Sequence, residues 1–236
     1  MLPARISELL APFLDAPLAQ SELEAISTYV DLLLRWNARI NLTAIRTPDE
    51  IVTRHFGESL FAARHLFPRP SVAHAPVPAG AAASESHTAR TPTAPAPLQA
   101  APLLIDLGSG AGFPGLPIKL WAPHVRVTLI ESNQKKVVFL REVARCLTLT
   151  DINVLSCRAE NYPGSLADVV TLRAVEQFDR ILPVAGSLVV PGGRLALLIG
   201  GSQLERLATL SGFTHREPIA IPNSRDRHLA LADKNI

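Results

Sequence analysis

Three glycines and two carboxylates carry the strongest chemical signal in this sequence. The run Leu103-Leu104-Ile105-Asp106-Leu107-Gly108-Ser109-Gly110-Ala111-Gly112-Phe113-Pro114-Gly115 takes an apolar segment into a glycine-rich turn. Glycine has no Cβ, so such a turn bends tightly and brings its backbone against a ligand. Glu131 follows at the end of the next apolar run. A carboxylate there accepts hydrogen bonds from both hydroxyls of a cofactor ribose. The spacing also separates two cofactor classes. A dinucleotide loop reads G-x-G-x-x-G, which would put its third glycine at position 113, and that position holds Phe. The loop here is G-x-G-x-G, with Asp106 two residues before Gly108. This form suits S-adenosyl-L-methionine, with Asp106 toward the methionine end and Phe113 covering part of the cofactor. A plain strand–turn–helix connection explains a glycine turn by itself. Strand, glycines, helix and distant acid together point to a nucleotide-type cofactor.

Further candidates lie downstream. Arg158-Ala159-Glu160 follows the third predicted strand, at the border of an adenine site. A carboxylate or backbone group there accepts from the adenine amine; alternatively these are solvated loop charges. The fourth strand ends in Thr171-Leu172-Arg173-Ala174. Ligands collect at the carboxyl ends of parallel strands, so this end faces the transferred group. It lacks the Asn/Asp-Pro-Pro-aromatic turn that suits exocyclic amines. Neither Cys146 nor Cys157 is placed as the nucleophile that a pyrimidine carbon needs. What remains is an acceptor with its own lone pair, such as guanine N7, for which catalysis is positioning. No residue is therefore given a catalytic role. Arg173 is the nearest candidate, holding the cofactor carboxylate or an RNA phosphate, or else a salt bridge at the sheet edge. No metal-ligand spacing is present.

These residues need a frame. Strands are predicted at 103–107, 125–130, 152–157, 168–172 and 193–199, and helices at 113–121, 133–147, 175–188 and 203–210. Such alternation implies a parallel sheet covered by helices on both faces. Two late strands, near 218–221 and 228–232, imply an antiparallel end. Residues 1–67 read as helices, with capping boxes at Ser21 to Glu24 and Thr47 to Glu50. Residues 68–102 hold eight prolines and few large apolar side chains, and read as a disordered Pro/Ala-rich insertion. The remainder, 103–236, reads as the catalytic domain.

The bulk composition narrows the setting. Of 236 residues, 47% are hydrophobic and 19% charged, enough for a sizeable core and too apolar for a disordered chain. No segment supplies the ~18–20 apolar residues that span a bilayer, and the first ten residues are a poor signal peptide. Two cysteines with no framework fit a reducing, cytoplasmic compartment. Net charge is only +2, but the basic set is 19 Arg against 4 Lys. Arginine suits phosphate contacts; a codon bias toward Arg, Ala and Pro explains the same excess.

The motifs together resemble the bacterial 16S ribosomal RNA guanine-N7 methyltransferase family, also called glucose-inhibited division protein B or ribosomal RNA small subunit methyltransferase G. The likeness covers most of the chain outside 68–102. It includes Trp36-Asn37 with Asn41-Leu42-Thr43, Arg54-His55 with Ser59-Leu60, the run from Ile105 to Gly115, Lys136 with Phe139-Leu140, Arg173-Ala174 and Arg227-His228-Leu229. It implies an α/β Rossmann-like methyltransferase fold: a mostly parallel seven-stranded sheet, the last strand antiparallel, with an N-terminal helical extension. It implies methyl transfer from S-adenosyl-L-methionine to a guanosine in the 530 loop of 16S ribosomal RNA. Gly108, Phe113, Ala159, Glu160 and Arg173 are then cofactor contacts, and Asp106, Gly110, Gly112 and Glu131 complete the pocket. Arg54, Lys136, Arg158, Arg225 and Arg227 are candidates for the RNA side, or are structural ion pairs or solvated charges. The expected partner is 16S RNA, naked or within a 30S particle, met by a monomer with no membrane contact.

Three departures from the family pattern stand out. Ile199-Gly200 replaces a Lys-Gly pair after strand five, Glu58 stands where the pattern has Asp, and the long insertion is atypical. Two other readings compete: a nicotinamide oxidoreductase, which Phe113 disfavours, and a non-catalytic RNA- or ribosome-binding protein with a vestigial pocket, which Ile199 favours.

Overall fold

The computed structural model describes residues 1–69, 100–174 and 177–236. Most of the predicted insertion at 68–102 therefore lies outside the described residues.

Short apolar runs form the centre of a sheet. β1 (Leu103–Leu107), β2 (Arg126–Ile130), β3 (Ile152–Leu155), β4 (Ala167–Arg173) and β5 (Val189–Gly200) pair in parallel. Near-continuous hydrophobic strands are what a sheet covered on both faces requires. The helices are α1 (Pro3–Leu10), α2 (Gln20–Ile40), α3 (Pro48–Glu50), α4 (Glu58–Leu66), α5 (Gly115–Trp121), α6 (Gln134–Cys146), α7 (Phe178–Ser187) and α8 (Gly201–Ala208). The far edge of the sheet is antiparallel. β8 (Arg227–Lys234) pairs with β5, and also with β6 (Phe213–His215) and β7 (Ile219–Ala220). The order is β3-β2-β1-β4-β5-β8-β6, with β7 also on β8. The expected seventh position is thus filled by two short pieces. β6 has three residues, two of them exposed, which is too little pattern to see in the sequence.

Side chains alternate across the sheet and divide the core in two. Leu104, Leu129, Val169, Leu198 and Leu231 face one cluster, with Ile6, Tyr29, Leu33, Phe56 and Phe139 from the helices. Ile105, Ile130, Val170, Leu197 and Ala232 face the other, with Phe178, Leu182 and Leu207. The N-terminal helices therefore cover one face of the sheet.

Local signals fixed some helix ends and not others. Asn133 caps α6 by accepting the N–H groups of Lys135 and Lys136. Thr47 accepts the Glu50 N–H at 3.4 Å and donates to its carboxylate at 2.7 Å. The box expected at Ser21 is displaced. α2 begins at Gln20, and it is Glu22 that reaches back to the Ala19 N–H, at 2.8 Å. The helical run behind Thr47 is not uniform: Ile51–Gly57, between α3 and α4, is π-helical. Single π turns recur at functional sites, and this one carries Arg54 and His55 to the carboxyl end of β4.

Candidate functional site

Strand order reverses between β2-β1 and β4-β5, the crevice where open α/β sheets take ligands. The carboxyl ends of the parallel strands open there into a cavity of about 690 Å³. The register puts the glycine loop beside Glu131, because Leu107 pairs with Ile130. Glu131 Oε2 accepts the Gly110 N–H at 2.9 Å, and Oε1 accepts the Asn133 N–H at 2.7 Å. The loop after β1 and the acid after β2 thus meet, as their spacing implied. Gly110 has φ +56°, and a side chain there would find almost nothing but cavity.

Of the nine residues predicted to touch a cofactor, Gly108, Gly110, Phe113, Glu131, Ala159, Glu160 and Arg173 line this cavity. Asp106 and Gly112 do not. Asp106 is fully buried beneath the loop. It accepts the Gly115 N–H at 3.2 Å and the Thr171 hydroxyl at 2.8 Å, so it ties the turn to α5 and β4. Burial raises its pKa to about 6 against those bonds. Gly112, at φ +90°, faces the core: a Cβ would strike Tyr29 and Leu116. Phe113 lines the cavity but is itself mostly buried. Its ring stacks between Tyr29, at 5.4 Å, and His55, at 4.7 Å. Its first role is therefore to join the loop to the N-terminal helices.

Arg173 lines the cavity and also makes the salt bridge that was the alternative reading of this residue. Its guanidinium turns inward and bonds Glu58 at 3.1 Å, the Arg54 carbonyl at 2.7 Å and His55 Nδ1 at 3.0 Å. Arg227 joins the same carboxylate at 2.9 Å. The salt bridge wins because a carboxylate this deeply buried needs cationic partners. Burial lowers the Arg173 pKa to about 10.

The RNA candidates divide. Arg54, Lys136, Arg158 and Arg227 line the cavity; Arg225 is exposed and outside its wall. Glu160 pairs with Arg180, a further cation of the wall, at 3.0 Å. Among the described residues Arg54, Lys136 and Arg158 have no carboxylate at ion-pair distance, in contrast to Arg173, Arg180 and Arg227. Thr43, His55, Asn133, Arg180 and Cys157 also line the cavity and were not singled out as site residues. Burial pushes the Cys157 thiol pKa up, which keeps it protonated and a poor nucleophile. Asn133 begins a helix predicted from the sequence. His55 and Thr43 come from the helical region and carry no local signal of a cavity.

The family model described as rRNA small subunit methyltransferase G matches residues 22–77 and 96–217. The chain belongs to this family. A ribosomal RNA small subunit methyltransferase G of Chloroflexus aggregans is 35% identical over 92% of this chain and 84% of its own length. One of Xanthomonas campestris pv. campestris is 34% identical over 99% of this chain and 98% of its own. A solved [4+2]-cyclase, SpnF, shares the fold, with TM-score 0.51 and 15% identity over 59% of this chain and 76% of that one.

Two motifs of the methyltransferase G likeness now have physical roles. Asn37, in α2, pins Thr43 through both backbone groups, at 3.0 Å and 2.9 Å, and Asn41 ends that helix in the left-handed region. Arg227 opens β8 and shares Glu58 with Arg173. Ile199, where the family pattern has Lys, is 3% exposed and packs in the core rather than in the cavity wall. Among the described residues no helix is long and apolar enough to cross a membrane, and no cluster suits a metal ion.

Proposed function

We propose that this methyltransferase transfers a methyl group from S-adenosyl-L-methionine to N7 of a guanosine in the 530 loop of 16S ribosomal RNA. The observation that carries the reading is the bond from Gly110 to Glu131 on the wall of a cavity edged by cations. The cavity's donor set fits the cofactor. Each Glu131 oxygen accepts one backbone N–H and keeps a lone pair for a ribose hydroxyl. Ile130, Ala159 and Ile181 supply apolar wall on the β2 and β3 side, which suits an adenine. Gly108 lines the same cavity, and Gly110 leaves open space for the rest of the cofactor.

When bound, S-adenosyl-L-methionine supplies a methyl group on a cationic sulfur, which an acceptor with its own lone pair takes without a base. Every candidate base on the described wall is engaged. Glu131 holds two backbone amides, Glu160 pairs with Arg180, and His55 Nδ1 is bonded by Arg173. Guanine N7 needs no deprotonation, so positioning is the protein's contribution. Arg54, Lys136 and Arg158 line the cavity and suit phosphates of the RNA. Family membership leaves no footing for the nicotinamide reading, and Ile199, the residue that encouraged a purely binding role, lies outside the cavity.

The test is incubation of the protein with methyl-labelled S-adenosyl-L-methionine and small-subunit RNA, both naked and as 30S particles. Nuclease digestion and mass spectrometry should find labelled 7-methylguanosine in the 530-loop fragment. Label on another atom or in another fragment overturns the assignment, and no label with either acceptor overturns the activity.

A further inference from the structure

We propose that the Thr43 hydroxyl selects guanine by donating its hydrogen to O6 of the target base. The inference rests on the N7 reading above and adds the group that recognises the base.

It follows from the order of donors in a buried chain. Arg173 Nη1 lies 3.0 Å from His55 Nδ1. A guanidinium only donates, so Nδ1 accepts and the ring hydrogen sits on Nε2. Nε2 lies 2.8 Å from Thr43 Oγ1 and donates to it. The Ile45 N–H donates to the same oxygen at 3.1 Å. A hydroxyl has two acceptor sites and one donor, so both acceptor sites are filled. The Thr43 hydrogen is the one member of the chain without a partner among the described residues, and Thr43 lines the cavity.

The sense of the chain is fixed. His55 is buried and faces Arg173, Arg54 and Arg227, which together with desolvation hold its pKa near 2, so it keeps the lone pair that Arg173 requires. A cation heads the chain, and each bond polarises the next. Asn37 clamps the Thr43 backbone on both sides, so the hydroxyl is held in place before any ligand arrives.

A fixed donor asks for an acceptor. Next to N7, guanine offers the acceptor O6, whereas adenine offers the N6 amine, itself a donor. Two donors face to face leave both unpaired, and a site built around one hydrogen bond rejects the mismatched analogue strongly.

The experiment compares methyl transfer onto small-subunit RNA carrying guanosine or 2,6-diaminopurine riboside at the target. The analogue keeps N7 and the 2-amino group and places an amine at C6. The native protein should favour guanosine by about 100-fold or more in kcat/KM. Thr43→Val keeps the shape and removes the hydroxyl. It should lose roughly 10- to 100-fold on guanosine, lose far less on the analogue, and so collapse the ratio. Thr43→Ser should retain the ratio. Cofactor affinity of both variants, read by calorimetry, separates a lost base contact from a damaged pocket. The proposal is overturned if the native protein methylates both bases alike, if Thr43→Val keeps the ratio, or if Thr43→Ser loses it. If Thr43→Val fails to fold, the native ratio and Thr43→Ser still decide. A native protein that modifies neither base sinks the N7 reading instead.

Discussion

Glu58 and Arg173 form an ion pair at 3.1 Å with both side chains almost wholly removed from water. The pair fastens α4, from the N-terminal helices, to the carboxyl end of β4. Arg227 meets the same carboxylate at 2.9 Å, so one acid is shared by two arginines. Removing one partner of a buried pair costs about 3–5 kcal/mol, because the other is left charged and unpaired. Glu58→Ala should lose stability of about that size in urea unfolding. Arg227→Met should lose less, since Arg173 still holds the carboxylate. Equal losses would show that the pair with Arg173 is not the dominant one.

Glu131 has two duties, and substitution separates them. Its oxygens hold the glycine loop through Gly110 and the start of α6 through Asn133. Glu131→Gln keeps one acceptor oxygen and replaces the other with a donor facing an N–H. Losing a charge-assisted hydrogen bond to a ribose hydroxyl is worth about 1.5–3 kcal/mol, or roughly 10- to 100-fold in affinity. Calorimetric titration with S-adenosyl-L-methionine should show that loss in Glu131→Gln and at least as much in Glu131→Ala. Unchanged affinity would place the ribose elsewhere.

Strand–loop–helix spacing made the cofactor half of the cavity legible, because Gly108, Gly110 and Glu131 lie within one β–α–β stretch. The same motif does not say which way a side chain points. Asp106 and Gly112 share the loop's signature, yet they face inward, one toward Thr171 and the other toward Tyr29. The other half is assembled across the fold. His55 and Arg173 are 118 residues apart and meet only because a π turn and a strand end converge. Residues 1–67 read as helices, and nothing local to His55 announces the partner. Sequence left Arg173 between an anion contact and a salt bridge, because its buried partner, Glu58, reads in isolation as an ordinary helix acid. The parallel strands were plain because they are buried and apolar. β6 was not, being short and mostly exposed.

Arg54, Lys136 and Arg158 should act additively and electrostatically. They stand at the cavity wall without carboxylate partners among the described residues. Each phosphate contact contributes about 0.7–0.9 to the slope of log affinity against log salt. Lys136→Gln or Arg158→Gln should weaken RNA binding and lower that slope by about one each, with cofactor affinity unchanged. Filter binding across a salt series reads the slope. An undiminished slope in both variants would remove these cations from the RNA interface.

Asp106 and His55 should give the protein opposing pH dependences that cancel in a defined window. Folding raises the Asp106 pKa from 3.8 to about 6 and lowers that of His55 from 6.5 to about 2. Between about pH 4 and 6 the folded state binds a proton at Asp106 that the unfolded state has released. That alone makes stability fall as pH rises, by about 1.4 kcal/mol per unit. In the same window the unfolded state binds a proton at His55 that the folded state refuses, so stability rises with pH at the same rate. Between them the contributions of these two groups nearly cancel there. Asp106→Asn removes the first effect and should make stability climb with pH between 4 and 6. His55→Gln removes the second and should make it decline. Urea midpoints measured at half-unit steps would show the two variants diverging from the native curve in opposite directions. If both tilt the same way, one of these groups is not held in the protonation state that its burial dictates.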